Sequence, residues 1–350
     1  MPIIFLCPHC RRKVKAEDKQ AELTLKCPNP DCQKPVTIPK TVDEWVKDMM
    51  EFIDFTREAG VDNAGFHSVT AIISIMASDR EDLFEKFLKV DISMMFHAAT
   101  GGYLEAMKWL KKKGVRIDEP KREGEFKDCL PIHLATVGGH VNVVNWLLKQ
   151  DTKLVHAKGE KGRTPIHYAA ATGRVEVIRL MSSLITDENQ WKAVINAQND
   201  DGYLPIHSAA IRRQVESLKC LVELSADVDA KDKGREGLTP LHIAVLDNNT
   251  ASIDCLVEEL GADVNATNNQ GVAPLFQAAW ESSLAAWGNN QTLWESAWEN
   301  RIAGMKYLYE LCERLGKKLK MEIKGMTLRR FAVTGNLPRV IEWLDEKGIQ

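Results

Sequence analysis

From residue 41 onward the apolar positions of this chain fall at helical spacing. Val42, Trp45, Val46, Met49, Phe52, Ile53 and Phe55 make one face, which Gly60 ends. Shorter apolar stretches run from Val69 to Met76 and from Leu83 to Val90, separated by a charged run. A compound unit then takes over. Thr164-Pro165 opens a short helix, because threonine is a good cap and proline there has a preset φ and no N–H to lose. The alanines Ala169, Ala170 and Ala171 let a neighbouring helix approach closely. Gly173 ends the helix, and Val175, Val177, Ile178 and Met181 give the next one an apolar stripe. Neither helix buries its stripe alone, so such units must stack, and at least three are needed for a stable core. The first 40 residues differ. Ala21-Glu22-Leu23-Thr24-Leu25 and Val36-Thr37-Ile38 alternate apolar and polar, which predicts strands.

The helix opening recurs. Leu130-Pro131-Ile132-His133, Thr164-Pro165-Ile166-His167, Leu204-Pro205-Ile206-His207 and Thr239-Pro240-Leu241-His242 place histidines 34, 40 and 35 residues apart. Ala273-Pro274-Leu275-Phe276 comes 34 residues later, with phenylalanine in the histidine's place. Ser225-Ala226-Asp227-Val228-Asp229-Ala230 and Gly261-Ala262-Asp263-Val264-Asn265-Ala266 recur as tails. A period near 33 around a T-P-L-H-x-A core resembles the ankyrin repeat. The resemblance covers roughly residues 91–350 and implies a mainly α solenoid of about six or seven units. Ser93 to Glu105 is the first readable unit, with Phe96 where the histidine would stand. Residues 41–90 read as a helical connector or N-terminal cap, and Leu328 to Leu344 as the C-terminal cap. In the family the histidine hydrogen-bonds the backbone of a neighbouring turn. Stacking also separates the four histidines too widely to share an ion.

Several units depart from the pattern. The charged finger Asp118 to Asp128 is long, and about six residues are inserted around Thr186 to Trp191. Arg213-Gln214 replaces the usual Gly-His pair, and Lys231 to Glu236 forms a lengthened basic finger. At about residues 280–300 an insertion carries Trp280, Trp287, Trp294 and Trp298. Their spacing predicts that it lengthens the two helices of the sixth unit, with Gly288-Asn289-Asn290 turning between them. The tryptophans either fill a core between those helices or form an exposed patch that anchors a partner.

Residues 1–40 carry the chemistry. Cys7-Pro8-His9-Cys10 and Cys27-Pro28-Asn29-Pro30-Asp31-Cys32 bracket a short β-rich stretch, as a tetrahedral zinc site of four cysteines requires. The pattern resembles a zinc ribbon, although the second knuckle has four intervening residues. Disulfide pairing and ligation by His9 are the alternatives. With Cys7, Cys10, Cys27 and Cys32 all bound, zinc has no open position and serves structure. It would supply most of the folding energy of so small a module, on the order of 10–16 kcal/mol. The chain's net charge is −3, yet residues 1–40 hold eight Lys or Arg against four acids. Arg11-Arg12-Lys13 beside a knuckle therefore makes nucleic-acid contact a second possibility for this module.

The remaining signals exclude more than they add. No apolar run approaches the roughly 18 residues of a membrane span. Met1 to Leu6 is too short for a secretory core, so a reducing, cytoplasmic setting is expected. No phosphate-cradling loop, G-x-S-x-G elbow or H-E-x-x-H helix occurs. Cys129 and His133 lie four residues apart, but that histidine belongs to the repeat scaffold, so no enzyme is expected. The family resemblance implies a scaffold that binds a protein partner along its finger tips and first helices, and a monomer is expected. By register these contacts are Lys158, Glu160, Asn199, Asp200, Lys231, Lys233, Asn268 and Asn269 on the fingers, with Thr172, Arg212 and Asp247 on the helices. A nucleic-acid-associated protein, or a bacterial effector acting in a host cell, remains the alternative.

Overall fold

The computed structural model describes residues 3–6, 13–16, 24–26, 35–37, 94–121, 126–234, 236–285, 291–323, 325–335 and 337–349. For 280–285, 291–298, 300 and 323 the description is of the backbone. The four cysteines of the first 40 residues, the 41–90 connector and the turn at Gly288-Asn289-Asn290 fall outside it. So do Trp287 and the side chains of Trp280, Trp294 and Trp298. The chain forms two compact units, residues 1–147 and 148–350.

In the first unit, strand β1 (Ile3–Leu6) pairs antiparallel with β2 (Lys13–Ala16), with Leu6 opposite Lys13. Strand β3 (Thr24–Lys26) pairs likewise with β4 (Pro35–Thr37), with Lys26 opposite Pro35. Two helical pairs follow, α1 (Met94–Thr100) with α2 (Leu104–Lys112), and α3 (Pro131–Gly138) with α4 (Val141–Gln150). Helix α2 turns Ala106, Met107 and Leu110 inward and its lysines outward. His140 links the pairs. Its ring lies where a Cβ on Gly102 or Gly138 would project, and its Nε2 bonds the Thr100 carbonyl at 2.7 Å. Only glycine leaves room for the ring at both positions.

The second unit stacks further pairs. These are α5 (Pro165–Thr172) with α6 (Val175–Leu184), α8 (Pro205–Ile211) with α9 (Val215–Glu223), and α10 (Pro240–Leu246) with α11 (Thr250–Asp254). Then come α12 (Pro274–Ala285) with α13 (Gln291–Arg314) and α14 (Leu328–Thr334) with α15 (Pro338–Glu346). First helices pack on first helices through alanines that solvent does not reach, such as Ala169, Ala170, Ala209, Ala210 and Ala244. Second helices bury the stripe Val177, Ile178 and Met181 and its equivalents Leu218 and Leu221.

The departures from the repeat have local physical solutions. The insertion after α6 becomes a short helix, α7 (Glu188–Ile195), whose first turn Asp187 caps by accepting the Gln190 N–H at 2.8 Å. Trp191 anchors it, with its indole N–H on the Leu224 carbonyl at 2.9 Å. Between Cys255 and Ala262 there is one more residue than between Cys220 and Ala226. The extra residue is absorbed as a π-helical turn over Cys255–Glu259, closed by Leu260 N–H to Cys255 O at 2.9 Å. Lys317 donates to the Val257 carbonyl within that turn.

The sixth pair is lengthened as expected, to 12 and 24 residues. Helix α13 lies against α10. Tyr307 donates to the Asp254 carboxylate at 2.8 Å, and Arg314 pairs with Glu258 at 2.6 Å. Gly304 sits where α13 crosses α10, and a Cβ there would meet the carbonyl oxygen of Val245. Because that neighbour is backbone, Gly304→Ala will destabilise the full chain by about 1–3 kcal/mol, despite alanine's better helix propensity. Urea denaturation should show a lower midpoint; an unchanged midpoint would mean that α13 is free to shift.

Candidate recognition surface

The surface is built on a main-chain framework that the histidines hold. Four first helices start with a histidine at their third turn position, and His133, His167, His207 and His242 are all inaccessible to solvent. In each case Nδ1 accepts the backbone N–H of the residue before the proline, from Leu130, Thr164, Leu204 and Thr239. In the second unit Nε2 reaches the next finger. His167 bonds Tyr203 O at 3.0 Å, His207 bonds Leu238 O at 2.9 Å and His242 bonds Val272 O at 2.9 Å. A carbonyl only accepts, so Nε2 carries the proton and Nδ1 is the acceptor.

The same carbonyls close the fingers. Tyr203 O, Leu238 O and Val272 O accept the N–H groups of Asn199, Asp232 and Asn268 at 2.9–3.0 Å. Successive fingers then join tip to tip, Asp200 N–H to Lys161 O, Lys233 N–H to Gly202 O, and Asn269 N–H to Glu236 O. Gly202 (φ 84°) abuts the backbone of Lys233 and Gly234 so closely that no side chain fits. The fingers of the second unit are thus one hydrogen-bonded ribbon.

Of the expected contact residues, Lys158, Glu160, Asp200, Lys231, Lys233 and Asn269 are exposed on this ribbon and Arg212 is exposed at the end of α8. Thr172 and Asp247 are half-buried. Thr172 donates to Tyr168 O, and Asp247 pairs with Arg213 at 2.8 Å across two units. Asn199 and Asn268 correct the expectation. They are only 7% and 2% exposed, because their side chains build the turns. The Asn199 amide oxygen accepts Tyr203 N–H, and that of Asn268 accepts Gln270 N–H and Val272 N–H. Asp232 plays the same part for Gly234 and Leu238. Register alone missed one feature. Between these fingers and helices α8 and α10 lies a groove of about 790 Å³, lined partly by Tyr203, Ile211, Ile243 and Leu246. The signal was available in Ile211, an apolar residue at the end of a first helix where the stripe does not require one.

The buried cysteines and histidines of the described repeats are committed to the scaffold. Cys129 is buried, and the Nδ1 of His133 is committed to Leu130 N–H. Cys220 in α9 and Cys255 in the π-turn that continues α11 are buried, and burial raises both thiols, Cys255 to about 11. Among the described residues no cluster of His, Cys, Asp or Glu could hold a metal, and no helix is long and apolar enough to cross a membrane.

Comparison with known proteins agrees with this architecture. Residues 132–232 and 224–287 match the family described as "Ankyrin repeats (3 copies)", and residues 95–148 match "Ankyrin repeats (many copies)". Residues 95–287 therefore belong to the ankyrin-repeat family, a class whose repeats imply a role in protein–protein interaction. Among curated proteins, a Transient receptor potential cation channel subfamily A member 1 homolog from Caenorhabditis elegans is 35% identical over 79 residues. The match takes in 23% of this chain and 6% of the channel protein. Among solved structures, the ankyrin repeat domain of Bcl-3, a member of the IkappaB protein family, matches at 23% identity with a TM-score of 0.49. That match covers 64% of this chain and 86% of the Bcl-3 domain.

The histidine framework has a pH consequence. Burial holds the His167 and His242 imidazoles at about 4 and lowers His207 as well. An unfolded histidine titrates near 6.5. Below that pH the unfolded chain takes up protons that the folded chain refuses, so stability is full above about pH 6.5 and falls toward pH 4. Each histidine adds a slope of up to about 1.4 kcal/mol per pH unit. Urea unfolding across this range should show the decline, with a shallower slope for His242→Gln. The same slope in that variant would exclude His242 as a source.

Proposed function

We propose that this chain is a recognition scaffold that holds a protein partner on the finger tips and first helices of its second unit, without covalent chemistry. The observation that carries the reading is the backbone ribbon. It satisfies the main chain internally and leaves Lys158, Glu160, Asp200, Lys231, Lys233 and Asn269 outward, beside Thr172, Arg212 and Asp247. Long charged side chains on a rigid backbone suit selection among partners, since charge complementarity across an interface sets specificity and encounter rate. The chain spans a small part of the channel relative, so that protein's activity is not carried over. A reducing, cytoplasmic setting and a monomeric state belong to the same proposal.

The first 40 residues are read as a zinc-stabilised module in which Cys7, Cys10, Cys27 and Cys32 hold one structural ion. Support comes from the two hairpins: each cysteine pair falls in the segment that connects the strands of one hairpin, 7–12 in the first and 27–34 in the second. Two such pairs suit a closed tetrahedral site of four cysteines. Bound there, zinc would hold four thiolates in place of a core that so short a module cannot bury. The basic balance of this module, with Arg11, Arg12 and Lys13 entering β2, favours a second reading in which it contacts nucleic acid.

Two measurements test these assignments. Elemental analysis of the purified chain should find about one zinc per molecule, lost in a Cys27→Ser/Cys32→Ser variant whose helical circular dichroism persists. Metal-free protein with those cysteines disulfide-bonded would overturn the site. For the partner, lysate captured on the full chain is compared with Arg212→Glu/Lys231→Glu/Lys233→Glu and with Arg11→Glu/Arg12→Glu/Lys13→Glu, with and without nuclease. Loss in the first variant alone, insensitive to nuclease, is expected. Loss in the second variant and on nuclease treatment would move recognition to the basic module.

A further inference from the structure

We infer that α13, the helix lengthened by the insertion, is a clamp that holds the fifth unit's second helix in its π-turn and so sets where the finger of Asn268 and Asn269 begins. This goes beyond the recognition reading and does not rest on it. The fourth and fifth units end their second helices between the same two anchors. Ala226 N–H meets Leu221 O, five residues back, and Ala262 N–H meets Leu256 O, six residues back. All four residues are buried, so the fifth unit must place one extra residue between fixed points. It can do so as a π-turn within the helix, or as a regular helix followed by a bulged tail. A π-turn is rare, so contacts that only this register makes must favour it.

Those contacts come from α13 and the chain that follows it. Tyr307 donates to both oxygens of Asp254 at 2.8 Å, at the end of α11 where the π-turn starts. The main-chain ladder then runs from Cys255 O to Leu260 N–H and from Leu256 O to Ala262 N–H. The next carbonyl, Val257 O, accepts from Lys317 Nζ at 2.9 Å. The consecutive acids Glu258 and Glu259 reach opposite neighbours, Arg314 of α13 at 2.6 Å and Lys219 of α9 at 2.8 Å. Both pairs are partly exposed and count for little. Tyr307 and Lys317 make part-buried bonds in which one partner is charged, so the grip rests on them. Past Gly261 the same stretch also holds the tail, since Asn265 donates to Lys318 O at 2.9 Å and accepts Lys320 N–H at 2.7 Å. The finger follows at once, closed by Asn268 N–H on Val272 O. The clamp has its own support, because α13 is seated against α10 at Gly304, next to the Val245 carbonyl. Releasing the grip would let the helix return to its regular register and move the start of the finger by one residue.

The test is amide hydrogen exchange on the full chain, comparing wild type with Tyr307→Phe/Lys317→Met. Exchange over residues 255–266 should quicken about fivefold or more, while residues 215–226, the equivalent stretch of the fourth unit, keep their wild-type rate. Deleting Glu259, which restores the fourth unit's spacing, completes a cycle with the same double variant. With the clamp intact the deletion should lower the urea midpoint, because the helix is pulled away from Tyr307 and Lys317. Without the clamp the deletion should leave the midpoint unchanged or raise it, because the regular register is then the better one. Unchanged exchange over 255–266 in the double variant would overturn the clamp, as would an equal rise over 215–226. A deletion that lowers the midpoint equally in both backgrounds would show that α13 does not choose the register.

Discussion

The second unit depends on one carbonyl per repeat. Tyr203 O, Leu238 O and Val272 O each lie two residues before a proline that opens a helix, in extended chain that has no sheet of its own. Each accepts two hydrogen bonds, one from the finger it closes and one from the histidine of the preceding unit. The second of these bonds ties one unit to the finger of the next and is worth about 0.5–1.5 kcal/mol, so the histidine does more than pack. It also fixes its own helix, since Nδ1 takes the N–H that the N-terminus leaves without a partner. One ring therefore joins a helix start, a finger and the next unit. The arrangement works only for the neutral ring, because protonation would set an Nδ1–H against the N–H it now accepts from.

Where the histidine is missing, the linkage changes kind. Phe276 cannot donate, and the sixth unit departs into its long helices instead of entering a finger at the usual distance. Phe276 meets Phe331 edge-on at 6.5 Å, a contact worth about 0.5–1.5 kcal/mol beyond its burial. Other groups take over the positioning. Tyr307 holds Asp254, Lys317 caps a carbonyl of the π-turn, and Asn265 bonds both Lys318 O and Lys320 N–H. The π-turn and the lengthened helix are thus neighbours in space as well as exceptions in sequence. The extra residue in α11's continuation leaves the Val257 carbonyl to be met from the chain that follows α13.

Much of this was legible in the residues, and the failures are instructive. The Thr-Pro and Leu-Pro openings gave the helix starts, and the resemblance to the ankyrin family implied the histidine's bond to a neighbouring turn. The tryptophan spacing gave the lengthened sixth pair. Finger positions were also readable, but the direction of a side chain on a finger was not read from register. Asn199 and Asn268 each stand three residues before a glycine, Gly202 and Gly271, which is the mark of an asparagine folding back on its own turn. That signal was in the sequence and outweighs repeat register. Gln214 shows the converse. It replaces the histidine that His140 supplies in the first unit, yet its side chain reaches Gly173 as His140 reaches Gly102. The sequence marked the groove only by Ile211, an apolar residue at a helix end; its shape depends on how the fingers and α13 meet in space.

The division of labour within the fingers explains how such a surface can be both rigid and selective. Main-chain bonds between fingers involve N–H and C=O groups that every residue but proline has, so apart from Gly202, where no side chain fits, the side chains at those positions take no part in them. Positions where a side chain builds the turn, such as Asn199, Asp232 and Asn268, are withdrawn from solvent and cannot vary without loss of the ribbon. The exposed positions between them carry the charge: Asp200 and Asp201 on one finger, Lys231, Lys233 and Glu236 on the next. Mixed signs at fixed positions reject a partner with the wrong order of charges more strongly than they favour the right one, because a buried like-charge pair has no compensating bond. On the recognition reading proposed above, selection would fall to the exposed charges that the ribbon holds at fixed positions.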